Sequence, residues 1–254
     1  MILAIDIGNT NIVIGCIRDD EILFNERVST NHKATDLEYA IQIKNIFEIH
    51  EMDTSEIDGA IVSSVVPSIT EAVENSIKKL SGCTPLVVGP GMKTGLRITI
   101  DNPAQLGSDL VVDAIAGIKN YGAPLIIIDM GTATTISVID KDENYTGTLI
   151  IPGMRTSLDA LVSGAAQLPK VKLDPPKRVV GTNTSESMAN GVMYYTAAGL
   201  DGCIDRIEAE IGEKCTVVAT GGLAGTITPL CQKEVILDDD LLLKGLMILY
   251  KRNA

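Results

Sequence analysis

The sequence predicts a mixed α/β fold in which a strand–turn–strand unit occurs twice, once near the start of each half of the chain. Each copy has an Ile- and Val-rich run, then Asp-x-Gly, then a second apolar run, and such runs are typical of buried strands. The copies occupy residues 2–17 and 125–139, with Asp6 aligned to Asp129 and Gly8 to Gly131. Strands and helices then alternate in both halves. We therefore expect two related lobes, residues 1–121 and 122–254.

The remaining elements are predicted from strand alternation, helix caps and helix breakers. In the first half we expect, in order, a strand at 21–29, a helix capped by Thr35 or Asp36, a strand at 60–66, a helix starting at Pro67, a short strand at 86–88 and a helix opened by Asp109. In the second half we expect a strand at 145–151, a helix ending at Ala166, an exposed excursion at 168–180, a long helix that ends near Ile211, a strand at 216–220 and a helix at 241–250. Thr184 either caps the long helix or offers its hydroxyl to a ligand at that N-terminus.

The Asp-x-Gly turns have the composition of a site for a phosphate chain and its metal ion. Backbone N–H groups and hydroxyls at the turn can bind phosphate oxygens, while the carboxylate holds the cation. For a single copy, an ordinary hairpin whose Asp and Asn stabilise the turn is an equally good interpretation. The second copy favours the phosphate site, because two lobes that face each other would bring both turns to one cleft.

Gly107-Ser108-Asp109 is a second candidate for ligand contact. The glycine and serine would let the backbone approach a ligand, with the carboxylate beside it. The alternative is structural: Ser108 caps the helix and Asp109 is a first-turn acid that complements the helix dipole. From these residues alone the structural interpretation is the better one.

Composition excludes several classes of function. The net charge is −12, and no stretch is dense in Lys or Arg, so we expect no nucleic-acid partner. The start of the chain does not resemble a signal peptide and no apolar run would span a membrane, so we expect a cytoplasmic protein without membrane contact. Five widely spaced cysteines and two histidines do not form a zinc-binding pattern. Gly89-Pro90-Gly91 is not a phosphate loop, because no G-x-x-x-x-G-K-[ST] follows it.

Several motifs together resemble one family, the type III pantothenate kinases of the actin, sugar-kinase and heat-shock-chaperone ATPase superfamily. The matching stretches occur in family order, and they are Asp6-Ile7-Gly8-Asn9-Thr10-Asn11, Asn102-Pro103 with Gly107-Ser108-Asp109, Asp129-Met130-Gly131-Thr132-Ala133-Thr134-Thr135, Pro152-Gly153-Met154-Arg155-Thr156-Ser157, Gly181-Thr182-Asn183-Thr184 and Thr220-Gly221-Gly222. The resemblance implies duplicated ribonuclease H-like (actin-like) lobes, each a mixed five-stranded sheet flanked by helices, with a cleft between.

The resemblance also implies an activity, the phosphorylation of pantothenate by ATP to 4′-phosphopantothenate, the first step of coenzyme A biosynthesis. It implies Asp109 as general base, Mg²⁺ at Asp6, a potassium or ammonium ion at Asp129, and a homodimer. The residues implied to bind ATP are Asp6, Ile7, Gly8, Asn9, Thr10, Asn11, Ile12, Val13, Thr132, Gly221 and Gly222. Those implied to bind pantothenate are Gly107, Ser108, Asp109, Leu110 and Thr184. Since neither hairpin contains a Lys, cations would have to neutralise the phosphates and carboxylates.

One position departs from the family pattern. Relatives usually have Arg directly after the Asp base, where this chain has Leu110. Arg155 and Arg97 are candidates to supply the missing charge. Two alternative functions remain open at this point: a catalytically weak or non-catalytic ATP-binding regulatory accessory protein, and a kinase for another small alcohol.

Overall fold

The computed structural model describes residues 1–165 and 168–254, and it contains two mixed β-sheets with helices packed on them. Its strands are β1 Ile2–Ile7, β2 Asn11–Arg18, β3 Glu21–Ser29, β4 Gly59–Ser64, β5 Leu86–Val87, β6 Arg97–Ile98, β7 Leu125–Met130, β8 Ala133–Ile139, β9 Asn144–Pro152, β10 Thr216–Thr220 and β11 Ile236–Leu237. Its α-helices are α1 Asp36–Ile49, α2 Pro67–Ser81, α3 Ser108–Tyr121, α4 Met154–Gly164, α5 Thr184–Ile211, α6 Ala224–Ile227 and α7 Leu241–Asn253.

The chain divides into two compact units. Unit 1 comprises residues 1–96, 102–116 and 240–254, and unit 2 comprises residues 97–101 and 117–239. The predicted lobes, 1–121 and 122–254, differ from these units mainly at the C-terminus. Helix α7 packs on β1 and β4 and therefore belongs to unit 1, a long-range contact that the order of elements does not reveal.

The sheet of unit 1 has the strand order β3-β2-β1-β4-β5. β1 pairs antiparallel with β2 and parallel with β4, so it lies at the centre. One face of this sheet packs on α1 and α2 through a core that includes Leu3, Ile5 and Ile7. Helix α7 covers β1 and β4 and also contacts α3, where a Cβ on Gly245 would collide with the carbonyl of Val112.

The sheet of unit 2 repeats this arrangement with one addition. Its order is β11-β10-β7-β8-β9-β6, in which β7 pairs antiparallel with β8 and parallel with β10, as β1 does with β2 and β4. The predicted duplication is thus confirmed by the pairing. The prediction of five strands is wrong for this unit, because the two-residue strand β6 pairs with the outer edge of β9 and makes a sixth. So short a strand carries no detectable sequence pattern.

Most predicted elements are present, and their ends show where local signals are reliable. Thr35 caps α1 in a capping box with Glu38, and Pro67 begins α2. The predicted cap of α5 is wrong: Asn183 is the N-cap, its side chain accepts a hydrogen bond from the Glu186 N–H at 2.9 Å, and Thr184 is the first helical residue. The predicted end of α4 at Ala166 lies outside the described residues.

Within the described chain, no helix combines the length and the apolar character needed to cross a membrane.

Candidate active site

The first Asp-x-Gly turn is held rigidly at the carboxyl end of β1. The N–H of Gly8 donates to the carbonyl of Asn11 at 3.0 Å, and the hydroxyl of Thr30 donates to the carbonyl of Gly8 at 2.6 Å. The position needs a glycine, since a Cβ there would lie 2.9 Å from the Asn11 oxygen. Asn9, Thr10 and Asn11 are exposed, so the turn presents short polar side chains to a ligand.

Asp6 lies one residue before the end of β1 and is only 8% exposed. Its register partners are Val13 on β2 and Ser63 on β4. Because β1 and β4 are parallel, their carboxyl ends meet at one edge of the sheet, and register partners on such strands point to the same face. Asp6 and Ser63 therefore share one face at that edge.

The segment that carries Asp109 is attached to the same edge. The hydroxyl of Ser108 donates to the carbonyl of Ser64 at 3.1 Å, and its oxygen lies 3.0 Å from the Ser63 hydroxyl. A hydroxyl has one proton, and that of Ser108 is donated to the Ser64 carbonyl. The Ser63 hydroxyl is therefore the donor in its contact with Ser108. Unit 1 thus brings Asp109 to the sheet edge that carries Asp6. Ser108 lies inside α3 with its hydroxyl bonded to β4, so the prediction that it caps the helix is wrong.

Asp109 itself is partly buried in the first turn of α3. Its Oδ1 accepts the N–H of Leu110 at 2.9 Å, and a side chain on Gly107 would collide with this carboxylate. Burial raises the pKa of Asp109 above its usual range, partly offset by the backbone hydrogen bond from Leu110. The Leu110 side chain is 8% exposed and packs in the interior, so its backbone N–H is the part that touches the site.

The second Asp-x-Gly turn has its own supports in unit 2. Three residues separate the register partners Met130 and Thr134, one fewer than separate Ile7 and Ile12 in the first turn. The carbonyl of Thr132 accepts hydrogen bonds from the Gly153 N–H at 3.1 Å and the Thr156 hydroxyl at 2.7 Å. This gives the Pro152-Gly153 motif a structural role, because a Cβ on Gly153 would lie 2.6 Å from the Thr132 oxygen.

Asp129 lies beside the strand that leads to Gly221. Thr220 on β10 is its register partner, and Gly221 follows with φ +94°, a conformation that favours glycine. A Cβ on Gly221 would lie 2.6 Å from Asp129 Oδ1 and 2.6 Å from the N atom of Met130. The sequence predicts that Gly221 approaches a ligand, and the structure adds that it packs directly on Asp129.

Sequence reasoning missed several supporting residues. Ser63 joins Asp6 to the Asp109 segment, and its signal was a pair of serines ending an otherwise apolar strand. The hydrogen bond from Thr30 to the first turn depends on pairing between distant strands and has no local signal. The same is true of the close packing of Gly221, itself a predicted site residue, on Asp129. Of the two arginines considered as substitutes at the Leu110 position, Arg155 donates to the carbonyl of Val171 at 3.1 Å.

The carboxylates of this edge suit a cation that is shared with the phosphates of a substrate. No group of three or more His, Cys, Asp or Glu side chains that could hold a metal occurs in residues 1–165 and 168–254. Mg²⁺ at kinase sites is usually held by one or two carboxylates together with the phosphates of the substrate. A buried carboxylate such as Asp6, beside a polar turn, fits that mode of binding.

Comparison with known proteins agrees with this geometry. A family model described as type III pantothenate kinase matches residues 2–206. The type III pantothenate kinase of Halalkalibacterium halodurans is 41% identical over 254 residues, covering 100% of both chains.

Two solved structures share the fold at low sequence identity. A protein from Campylobacter jejuni described as a Baf family transcriptional activator is 20% identical, with a TM-score of 0.58 over 98% of this chain and 97% of that one. An activator of 2-hydroxyisocaproyl-CoA dehydratase from Clostridium difficile with bound ADPNP is 14% identical, with a TM-score of 0.55 over 98% and 92%. The full-length match, with the motifs in their expected places, shows that the chain belongs to the type III pantothenate kinase family.

Proposed function

We propose that this protein transfers the γ-phosphoryl group of ATP to the primary hydroxyl of pantothenate, giving ADP and 4′-phosphopantothenate. The observation that carries this proposal is the match to this family, by the family model over residues 2–206 and by a relative over all 254 residues. The convergence of Asp6 and Asp109 on one sheet edge supports it. The family match also favours this reaction over a regulatory accessory protein and over a kinase for another alcohol.

For the nucleotide, we propose that the turn formed by Asp6, Ile7, Gly8, Asn9, Thr10, Asn11, Ile12 and Val13 binds the ATP phosphates, with Thr132, Gly221 and Gly222 also contacting the nucleotide. Ile7 and Ile12 are fully buried, so they would contribute backbone groups. Asp6 would hold Mg²⁺, directly or through water, and Asp129 would hold K⁺ or NH₄⁺. When bound, these cations supply the positive charge that offsets the triphosphate and the carboxylates.

For catalysis, we propose that Asp109 accepts the proton of the pantothenate hydroxyl while that oxygen forms its bond to the γ-phosphorus. The bond between this phosphorus and the β,γ-bridging oxygen breaks at the same time, and ADP leaves. A carboxylate whose pKa is raised by burial is a better proton acceptor than an exposed one. The Ser63–Ser108 contacts hold it in place, and such positioning supplies much of the rate in phosphoryl transfer.

For the substrate, we propose contacts from Gly107, Ser108 and the Leu110 backbone, together with Thr184, which is exposed in the first turn of α5. The buried Leu110 side chain adds no positive charge where relatives usually have Arg.

We also propose a homodimer in the cytoplasm. Unit 2 exposes large apolar side chains on β9 and α5, among them Ile150 at 67% and Tyr195 at 83%, and such residues often mark contact surfaces. The five cysteines are free, consistent with a reducing compartment. Sedimentation of the purified protein as a single 27.0 kDa species would contradict the dimer.

The reaction is tested by a coupled ADP-release assay and mass spectrometry of the product. Protein with ATP, Mg²⁺ and K⁺ should consume ATP when pantothenate is added, and not with glucose or glycerol. Asp109→Asn should lower kcat by about 100-fold to 10,000-fold, the usual contribution of a general base. Asp101→Asn, a substitution at an exposed acid before α3, is the matched control and should keep its activity. Full turnover by Asp109→Asn would remove Asp109 from the mechanism.

The monovalent site is tested by ion replacement at constant ionic strength. Exchanging K⁺ for Na⁺ should slow turnover of the wild type, because a smaller, more strongly hydrated ion fits the same ligands less well. Asp129→Asn should be less sensitive to the exchange. Equal rates of the wild-type enzyme in both salts would contradict a role for Asp129 in holding K⁺.

Burial of Asp109 predicts a pH-dependent cost to stability. With its folded-state pKa above the unfolded value, the buried charge destabilises the fold at neutral pH, and the cost disappears once pH falls below both values. Asp109→Asn should therefore raise the free energy of unfolding at pH 8 in metal-free, nucleotide-free buffer. This gain should shrink as pH falls through the raised pKa. Urea titrations at several pH values measure it, and a variant less stable than wild type at pH 8 would overturn the prediction.

A further inference from the structure

The segment from residue 168 to 180 in unit 2 has no helix or strand of its own, yet it is held firmly. Most of the segment is exposed, as predicted, but Leu173 is 8% exposed and packs in the core of the unit. The Arg155 guanidinium donates to the Val171 carbonyl at 3.1 Å. The Asn190 side-chain amide donates to the carbonyls of Arg178 and Val179 at 2.8 and 3.3 Å. Long segments anchored in this way are usually functional.

Between this segment and the start of α5 lies a pocket of about 430 Å³, a volume within the range of small-ligand sites. Its lining is mostly polar and basic, and it includes Lys170, Lys172, Lys177, Arg178, Ser185 and Asn190. The proline pair Pro175-Pro176 stiffens its wall. The N-terminus of the 28-residue helix α5 borders the pocket and adds a favourable potential for an anion.

The charges of the pocket are unbalanced in favour of cations. Arg178 is 3.4 Å from Glu186, and this carboxylate also accepts the N–H and hydroxyl of Thr182 at 3.0 and 3.1 Å. Those hydrogen bonds from Thr182 lower the pKa of Glu186, which keeps it charged and engaged with Arg178. No ion pair involves Lys170, Lys172 or Lys177 within the part of the chain that the structure describes. Asp174 is the other carboxylate of the lining.

Asn190 forms part of one wall of the pocket. Its side chain is 6% exposed and lines the pocket. Its Nδ2 donates hydrogen bonds to two backbone carbonyls, whereas its Oδ1 accepts none from the described residues. A ligand with an anionic group and a hydroxyl or amide donor would match both the lysines and this oxygen.

We propose that this pocket binds a small organic phosphate. Three lysine side chains without carboxylate partners match a compact group that carries nearly two charges and three acceptor oxygens, and lysine is an established phosphate-binding residue. These like charges also repel one another until an anion binds. The site uses none of the residues proposed above for ATP, and it goes beyond the proposed kinase activity. Its ligand could be a nucleotide or the phosphorylated product, which share this group.

The test compares two triple variants that lose the same charge. The pocket variant is Lys170→Gln/Lys172→Gln/Lys177→Gln. The matched control is Lys33→Gln/Lys78→Gln/Lys119→Gln, at exposed lysines in no ion pair of the described chain. Calorimetric titrations with pyrophosphate and with 4′-phosphopantothenate, both under saturating Mg²⁺ and a non-hydrolysable ATP analogue, isolate this pocket from the nucleotide site.

Wild type and control should bind at least one of the two probes, and the pocket variant should bind it at least about tenfold more weakly. The tighter probe identifies the source of the phosphate group. Absence of binding to wild type, or equal binding by the pocket variant, would overturn the proposal. Circular dichroism confirms that the variants are folded. The pocket variant should phosphorylate pantothenate at the wild-type rate. If the wild type itself showed no turnover, the proposed reaction would be rejected, but the binding test of this pocket would still hold.

Discussion

The parallel pairing of β1 with β4 is the constraint on which the candidate site depends. It brings the carboxyl ends of two buried strands to one edge, so that Asp6 and Ser63 become neighbours. Ser63 and the Ser64 carbonyl then bind Ser108, and this fixes the start of α3 and its Asp109 at the same edge. Asp6 is thereby held buried and Asp109 partly buried, and burial of a carboxylate opposes folding unless a cation, a proton or hydrogen bonds compensate it. The proposed Mg²⁺–ATP complex supplies that compensation.

The second sheet repeats this strand pairing, but its turn and the residues that surround its Asp are different. Its turn is one residue shorter, and its Asp129 is covered by Gly221 rather than by a serine network. Glycine backbone against a carboxylate leaves little room for anything larger, and the bound carbonyl of Thr132 holds the turn in one conformation. A duplicated unit has therefore acquired two sets of supports, consistent with different roles for the two acids.

Much of this could be predicted from sequence because the signals are local. The hairpins follow from apolar runs around Asp-x-Gly, α1 from its capping box and α2 from Pro67. The errors have a common physical origin in contacts between residues far apart in sequence. These place α7 on the first sheet, pair β6 with β9 and bring Leu173 into the core. The cap of α5 was missed by one residue because Asn183 and Thr184 are both good N-caps.

Bound Mg²⁺ is expected to make this carboxylate-rich edge receptive to a triphosphate. The most direct measurement is the affinity for ATP by calorimetry, with Mg²⁺ and with EDTA, for wild type and Asp6→Asn. Removing Mg²⁺ should weaken ATP binding to the wild type at least about tenfold, because the carboxylates then repel the nucleotide. For Asp6→Asn, removing Mg²⁺ should weaken ATP binding by a smaller factor. Equal affinity of the wild type for ATP with and without Mg²⁺ would contradict this role of the cation.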